Sequence, residues 1–182
     1  MFNPSLPYSY LDNNDLPSLA KRITSIFPSL HPSQLECPQV GFYPPSGRYD
    51  LHFDAFDVSN PDGLRFCENG GQRIGTVLIY LNDVKEGGMT SFPKCQNMDG
   101  TMGIKVAPRT GDAVVFFPSY RDEDGQGNQI SNAGWTLDPQ ALHAAEPVGA
   151  GCEKYVSQIW IREGCYRGVA SRRLESPLIW EK

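Results

Sequence analysis

Hydrophobic spacing shows one helical stripe near the start of the chain and a series of short strands after it. Leu16, Leu19, Ile23, Ile26 and Phe27 fall near one helical face, with Asp15 placed to cap the helix, Pro17 in its first turn and Pro28 to end it. Cys37 to Tyr43 reads as a strand. The tight Pro44-Pro45-Ser46-Gly47 turn would fold it back onto the next strand as a hairpin. From Arg48 to Asp54 the chain alternates, so Asp50, His52 and Asp54 share one face while Tyr49, Leu51 and Phe53 share the other. Arg73 to Asn82 is apolar on both faces, as a central strand would be. There Thr76, Leu78 and Tyr80 point one way, and Val77, Ile79 and Leu81 the other.

Further strands follow the Glu86-Gly87-Gly88 turn, then at Gly103–Ala107, Asp112–Phe117, around Ala141–Ala145, and at Lys154–Arg162. In the last of these, Lys154, Val156, Gln158 and Trp160 share a face. Two polar stretches rich in turn residues, Asp57–Gln72 and Pro118–Pro139, read as long loops able to form a lid or bind substrate. Met1 to Asn14 is an irregular lead-in, and Cys165 to Lys182 a surface tail or short helix. About seven or eight short strands with one flanking helix predict a mainly β domain, a sandwich or jelly roll, spanning residues 1–182.

Composition narrows the classes. The formal net charge of -5 gives no general pull toward nucleic acid or an anionic membrane. No apolar run is long enough to span a bilayer, and the N-terminus has no signal-peptide pattern, which makes the cytoplasm the default expectation. The five cysteines are scattered, odd in number and without a Cys-x-x-Cys pair, so free thiols are expected rather than a zinc site or a disulfide framework.

The candidate chemistry begins at His52 and Asp54. An imidazole and a carboxylate two residues apart on a strand can take adjacent positions on one metal ion. A second histidine would complete the two-His, one-carboxylate triad of non-haem Fe(II) oxygenases. The chain has only three histidines. His31 sits in a linker beside Pro32 and reads as a surface residue. His143, 91 residues after His52, lies on a late strand that a jelly roll can bring alongside. Lys154 opens a mostly apolar strand, where a lysine is costly unless it meets an anion. A buried organic carboxylate would supply the charge, with Thr76, Tyr80 and Thr90 as hydroxyl donors beside it.

Taken in order, these pieces carry a resemblance. They are His52-Phe53-Asp54, Arg73-Ile74-Gly75-Thr76-Val77-Leu78-Ile79-Tyr80-Leu81-Asn82-Asp83-Val84, Glu86-Gly87-Gly88-Met89-Thr90-Ser91-Phe92-Pro93 and Lys105-Val106-Ala107-Pro108-Arg109-Thr110-Gly111-Asp112 running on to Phe117. Leu142-His143 and Lys154 with Trp160-Ile161 complete the set. The combination resembles the prolyl 4-hydroxylase branch of the Fe(II)/2-oxoglutarate dioxygenases, from about Tyr10 to about Arg162.

The resemblance implies a double-stranded β-helix (jelly-roll) core, with Fe(II) on His52, Asp54 and His143, and with 2-oxoglutarate and O2 as cosubstrates. It implies Lys154 on the distal carboxylate of 2-oxoglutarate, with Tyr43, Tyr80 and Thr90 around the same cosubstrate. Tyr49 and Trp160 would sit near the iron and the substrate. The implied reaction is hydroxylation of a C–H bond, prolyl 4-hydroxylation of a peptide or protein foremost, with decarboxylation of 2-oxoglutarate to succinate and CO2 and with ascorbate as reductant. The expected partner is a proline-containing peptide or protein, not a nucleic acid.

Two departures from the family pattern stand out. His143 and Lys154 are 11 residues apart, one more than the pattern, and Ala144-Ala145 stand where glycines are frequent. The same chemistry on another residue or a small molecule, and a non-catalytic jelly-roll binding module, are the alternatives.

Overall fold

The computed structural model describes residues 16–27, 29–121 and 134–167. Ten strands and two α-helices follow one another as α1 (Leu16–Ile26), β1 (Gln39–Tyr43), β2 (Tyr49–His52), α2 (Pro61–Cys67), β3 (Arg73–Tyr80), β4 (Thr90–Gln96), β5 (Met102–Val106), β6 (Ala113–Phe116), β7 (Ser119–Arg121), β8 (Trp135–Leu137), β9 (His143–Ala145) and β10 (Lys154–Arg162). Two four-stranded sheets, ordered β1-β10-β3-β6 and β2-β9-β4-β5, form the jelly roll, and β7 and β8 make a separate ribbon. Every pairing is antiparallel, and most join strands distant in sequence.

β3 and β10 are the inner strands of the first sheet, which explains why both are apolar on two faces. Their outward residues Val77, Ile159 and Ile161 pack with Ala20 and Ile23 of α1 and with Leu35. Their inward residues Leu78, Tyr80 and Val156 meet Tyr43, Ala145 and Val148, so this second cluster draws on both sheets. A third cluster, Phe92, Phe116 and Ala141, closes the layer around β4 and β6. The helical stripe of α1 is narrower than its spacing predicts. Leu19, Ala20, Ile23 and Phe27 face the sheet, while Ile26 is 61% exposed. Asp15 and Pro28, read as the start and stop of this helix, lie outside the described residues.

Three expectations need correction. The Pro44–Gly47 turn forms, with the Gly47 amide donating to the Pro44 carbonyl at 2.7 Å, but β1 and β2 are not a hairpin. β1 pairs with β10 and β2 with β9, so the turn carries the chain from one sheet to the other. That is the jelly-roll solution: adjacent strands are shared between two layers and both apolar faces find a partner. The polar stretch after Asp57 is not all loop, because Asn60 caps α2 by accepting from the Gly63 amide at 2.8 Å, with Pro61 in the first turn. The stretch from Pro118 to Pro139 includes the β7–β8 ribbon, while residues 122–133 lie outside the described set.

The cysteines of the described residues are free, as expected. Among the described residues no helix is long and apolar enough to cross a membrane.

Ile159 sits between α1 and the jelly-roll sheet at 1% exposure. Ile159→Ala removes that packing and is expected to cost about 3 kcal/mol. Thermal unfolding followed by circular dichroism should show a fall in Tm of roughly 6–12 °C for a chain of this size.

Candidate metal and cosubstrate site

The antiparallel pairing of β2 with β9 sets His52 directly opposite His143, and their rings lie 4.3 Å apart between centroids. The His143 ring is wedged between Phe92, at 5.5 Å, and Phe116, at 4.7 Å. Asp54 follows β2 and is held from the opposite sheet, where the Thr76 hydroxyl on β3 donates to its Oδ2 at 2.7 Å. Thr76 therefore serves Asp54 and not Lys154, as its position along β3 had suggested. One ligand atom from each of His52, Asp54 and His143 lies within 4.8 Å of the others.

The protonation of the two rings follows from their partners. His52 Nδ1 lies 2.8 Å from the Asp50 carbonyl and His143 Nδ1 lies 3.0 Å from the Ala141 carbonyl. A carbonyl can only accept, so both Nδ1 atoms carry the proton and the Nε2 lone pairs are left bare. Those atoms face Asp54 Oδ1 at 3.6 Å and 3.8 Å. Burial pushes the His143 imidazole below its ordinary value despite the nearby Asp54 carboxylate, which keeps the ring neutral. Burial would raise the Asp54 carboxyl, yet it lies below the usual carboxylate range, with the Thr76 hydroxyl donating to it, so it stays an anion. Three acceptors thus converge with no proton between them. Nε2 of His143 is buried without a hydrogen-bond partner. A divalent cation is the group that satisfies all three, and the backbone bonds at Nδ1 are the usual outer support of metal-bound histidines.

Lys154, at the start of β10, is 1% exposed. Its ammonium donates to the Gly88 carbonyl at 2.6 Å and lies 5.3 Å and 5.5 Å from the rings of Tyr43 and Tyr80. Gly88, whose carbonyl accepts from this lysine, adopts φ 64°, a left-handed conformation that favours glycine. No carboxylate pairs with Lys154 among the described residues; Glu146 is engaged by Lys105 at 2.7 Å. Burial lowers the lysine to about 8, with Glu146 acting weakly the other way. A buried cation without an anion is a site for one.

Tyr80, fully buried, donates to the Thr90 hydroxyl at 2.8 Å on the other sheet. Tyr43 faces Lys154 across β1 and β10 and its phenol is pushed up to about 12, first by burial. It therefore stays a hydrogen-bond donor at any ordinary pH. A cavity of about 190 Å³ opens beside the triad, lined by Tyr43, Tyr49, His52, Asp54, Arg73, Gln158 and Trp160 among others. Tyr49 packs edge-on against His52 at 4.1 Å, and Trp160 has its ring covered by the Arg73 guanidinium at 3.6 Å. Tyr80 and Thr90 do not line this cavity. His31, read as a surface residue, caps a short 3-10 turn and is exposed.

Sequence reasoning missed the charged cluster behind the site. Glu36 is buried and accepts from Arg73 through both carboxylate oxygens, at 2.7 and 3.0 Å, and from Arg162 at 2.6 Å. Arg73 also donates to the Asp54 carbonyl at 3.1 Å. Gln72 clamps the next turn of chain, with its side chain bonded to both the amide and the carbonyl of Phe56. The signal was available in Arg162, a charge ending an apolar run in a central strand, the same anomaly that marks Lys154.

The family model described as the 2OG-Fe(II) oxygenase superfamily matches residues 38–162. The chain is 37% identical over 127 residues to prolyl 4-hydroxylase 13 of Arabidopsis thaliana, covering 65% of this chain and 40% of that protein. It is 35% identical over 153 residues to prolyl 4-hydroxylase 1 of the same plant, covering 80% and 47%. The chain spans less than half the length of the curated relatives it matches. Its fold is similar to the viral collagen prolyl hydroxylase of Paramecium bursaria Chlorella virus-1, solved as a 2OG complex, with a TM-score of 0.55, 26% identity and 81% and 71% of the two chains covered. A triad of bare acceptors, a buried unpaired lysine and a jelly-roll frame agree with the match, and the chain belongs to the 2OG-Fe(II) oxygenase superfamily.

Proposed function

We propose that the chain is one catalytic domain that hydroxylates a prolyl residue in a peptide or protein, using Fe(II), 2-oxoglutarate and O2. The observation that carries this reading is the coexistence of two opposite electrostatic deficits in one jelly roll. His52, Asp54 and His143 present three acceptors that lack a cation, and Lys154 is a buried cation that lacks a carboxylate. Fe(II) and the distal carboxylate of 2-oxoglutarate answer each in turn. Fe(II) bound on the triad supplies the chemistry in which O2 oxidises 2-oxoglutarate to succinate and CO2 and delivers one oxygen atom into a substrate C–H bond; ascorbate is the expected reductant.

The protein's own contribution is placement and exclusion of water. Thr76 fixes which oxygen of Asp54 remains free, and the carbonyls of Asp50 and Ala141 fix which ring nitrogen each histidine offers. Lys154 spends one N–H on Gly88 and keeps two for the cosubstrate, with the Tyr43 ring 5.3 Å away. Tyr49 and Trp160 frame the cavity with aromatic surface. Asp54 is committed to the triad and the Arg73 guanidinium is engaged by Glu36, so neither is free to pair with a charged substrate, and the cavity is read as taking a compact, uncharged ring. The prolyl 4-hydroxylases among the relatives support proline as that ring.

Anaerobic titration of the metal-free protein with Fe(II) and 2-oxoglutarate should produce a weak visible charge-transfer band. His52→Ala should abolish it. Lys154→Ala should raise the 2-oxoglutarate Kd about 30-fold or more, the equivalent of ~2 kcal/mol lost with a buried charge partner. A wild type that gives no band and releases no succinate would return the chain to the binding-module alternative.

The depressed lysine makes cosubstrate binding pH-dependent. Burial holds the free Lys154 near 8, and a carboxylate beside it raises that value in the complex. Binding thus takes up a proton above about pH 8, and the 2-oxoglutarate Kd should weaken by up to tenfold per pH unit there, while staying flat between pH 6.5 and 7.5. Isothermal titration across pH 6.5–9.5 with a stable metal substitute in the triad measures this; a flat profile to pH 9.5 would remove Lys154 as the anion partner.

A further inference from the structure

Several polar groups around the cavity are already occupied. Asp54 and His52 belong to the metal triad, and Arg73 is bound by Glu36 and by the Asp54 carbonyl. Two groups on β10 are not. Trp160 is 7% exposed and its indole Nε1 is buried without a partner. Gln158 lines the same cavity and is half-buried, and its amide has no hydrogen-bond partner among the described residues. Its cross-strand neighbours are Gln39 on β1 and Leu78 on β3. Thr76, which holds Asp54, is opposite Trp160 and thus diagonal to Gln158. A primary amide at a ligand cavity lip, next to the centre of a sheet, gains nothing for the core and is costly to bury unpaired.

Gln158 and Trp160 are two apart on one face of a strand, a spacing of about 6.6 Å. Main-chain groups on one side of an extended peptide repeat at that same interval. An indole N–H can only donate, whereas a primary amide both donates and accepts. A carbonyl can meet Trp160, and the amide of a neighbouring residue, together with its own carbonyl, can meet Gln158.

We propose that Gln158 is a substrate-specificity residue that reads the main chain of an extended peptide, next to the residue presented to the metal site. The inference rests on the peptidyl reading above and adds to it the group that selects a peptide over a free amino acid. The peptide backbone amide is the recognised chemistry. Proline itself has no N–H, so the amide read belongs to a neighbouring non-prolyl residue.

The experiment uses the Fe(II)-loaded protein, 2-oxoglutarate and a set of proline-containing decapeptides, each also made with one backbone amide in turn replaced by an ester. Ester replacement removes a single N–H donor and leaves the side chains alone. In the wild type, one ester position should raise the peptide KM about tenfold. Gln158→Leu should raise the KM of the all-amide peptide about tenfold and reduce that ester penalty to less than twofold, the coupling expected of groups in contact. The KM for 2-oxoglutarate should change less than twofold, which a general distortion of the site would not spare. Gln158→Glu keeps the acceptor and should retain the ester penalty. An unchanged peptide KM in Gln158→Leu, or an ester penalty that persists in full, overturns the assignment while the enzyme reading stands. If the wild type consumes 2-oxoglutarate and no peptide stimulates it or is hydroxylated, the peptidyl reading fails and this assignment with it.

Discussion

The register of β10 on β3 is the constraint on which the site depends. Val156 stands opposite Tyr80, Gln158 opposite Leu78 and Trp160 opposite Thr76. With a side-chain period of two, a slip of one residue would turn Lys154, Gln158 and Trp160 outward toward α1 and bring Tyr155, Ile159 and Ile161 into the cavity. The apolar clusters on both sides forbid that slip, since Ile159 and Ile161 are committed to α1 and Val156 to the opposite sheet. Ordinary hydrophobic packing therefore fixes the polar geometry. The chemistry inherits its precision from residues that take no part in it.

The second constraint is hydrogen-bond satisfaction inside the jelly roll. Buried polar groups are nearly all partnered: Thr76 with Asp54, Tyr80 with Thr90, Gln72 with the Phe56 backbone, and Glu36 with two arginines. The exceptions among the described residues are informative, because the fully buried atoms left without a partner are His143 Nε2 and Trp160 Nε1, both on residues beside the triad and the cavity. A fold that satisfies its polar interior elsewhere leaves these open where a ligand is expected. The Glu36–Arg73–Arg162 cluster adds rigidity to the same place, tying the chain before β1 to both central strands and to the Asp54 carbonyl.

Much of this was legible in the sequence, for identifiable reasons. Strand alternation placed His52 and Asp54 on one face, and apolar runs marked β3 and β10 as inner strands, because both patterns are local. Lys154 was legible as an anomaly, a charge in an apolar strand. The partners of polar groups were not, because they are set by which strands meet. Thr76 looked like a neighbour of Lys154 along one face of β3, but it bonds Asp54 from across the jelly roll. The tight Pro44–Gly47 turn suggested a hairpin because nothing local distinguishes a turn that pairs its strands from one that passes the chain between sheets. The α2 helix was hidden in a polar stretch, its Asn60-Pro61 start outweighed by the surrounding glycines.

The site gathers charges that bound ligands would offset. Lys154 stays buried with one carbonyl and two aromatic faces in place of a counter-charge, and its lowered proton affinity records the cost. The triad gathers an anionic carboxylate and two imidazole nitrogens around one point, an arrangement that a cation fits. The two charges have opposite sign and are held on different strands of one frame, Lys154 on β10 and the triad on or just after β2 and β9. Under the proposed reading, a metal ion and a dicarboxylate bound together would offset both. Whatever binds this arrangement therefore stabilises the whole jelly roll by linkage, by RT ln(1 + [L]/Kd) for each ligand. On that reading the unpaired lysine and the triad belong to one electrostatic arrangement, and the ligands that complete its chemistry also stabilise its fold.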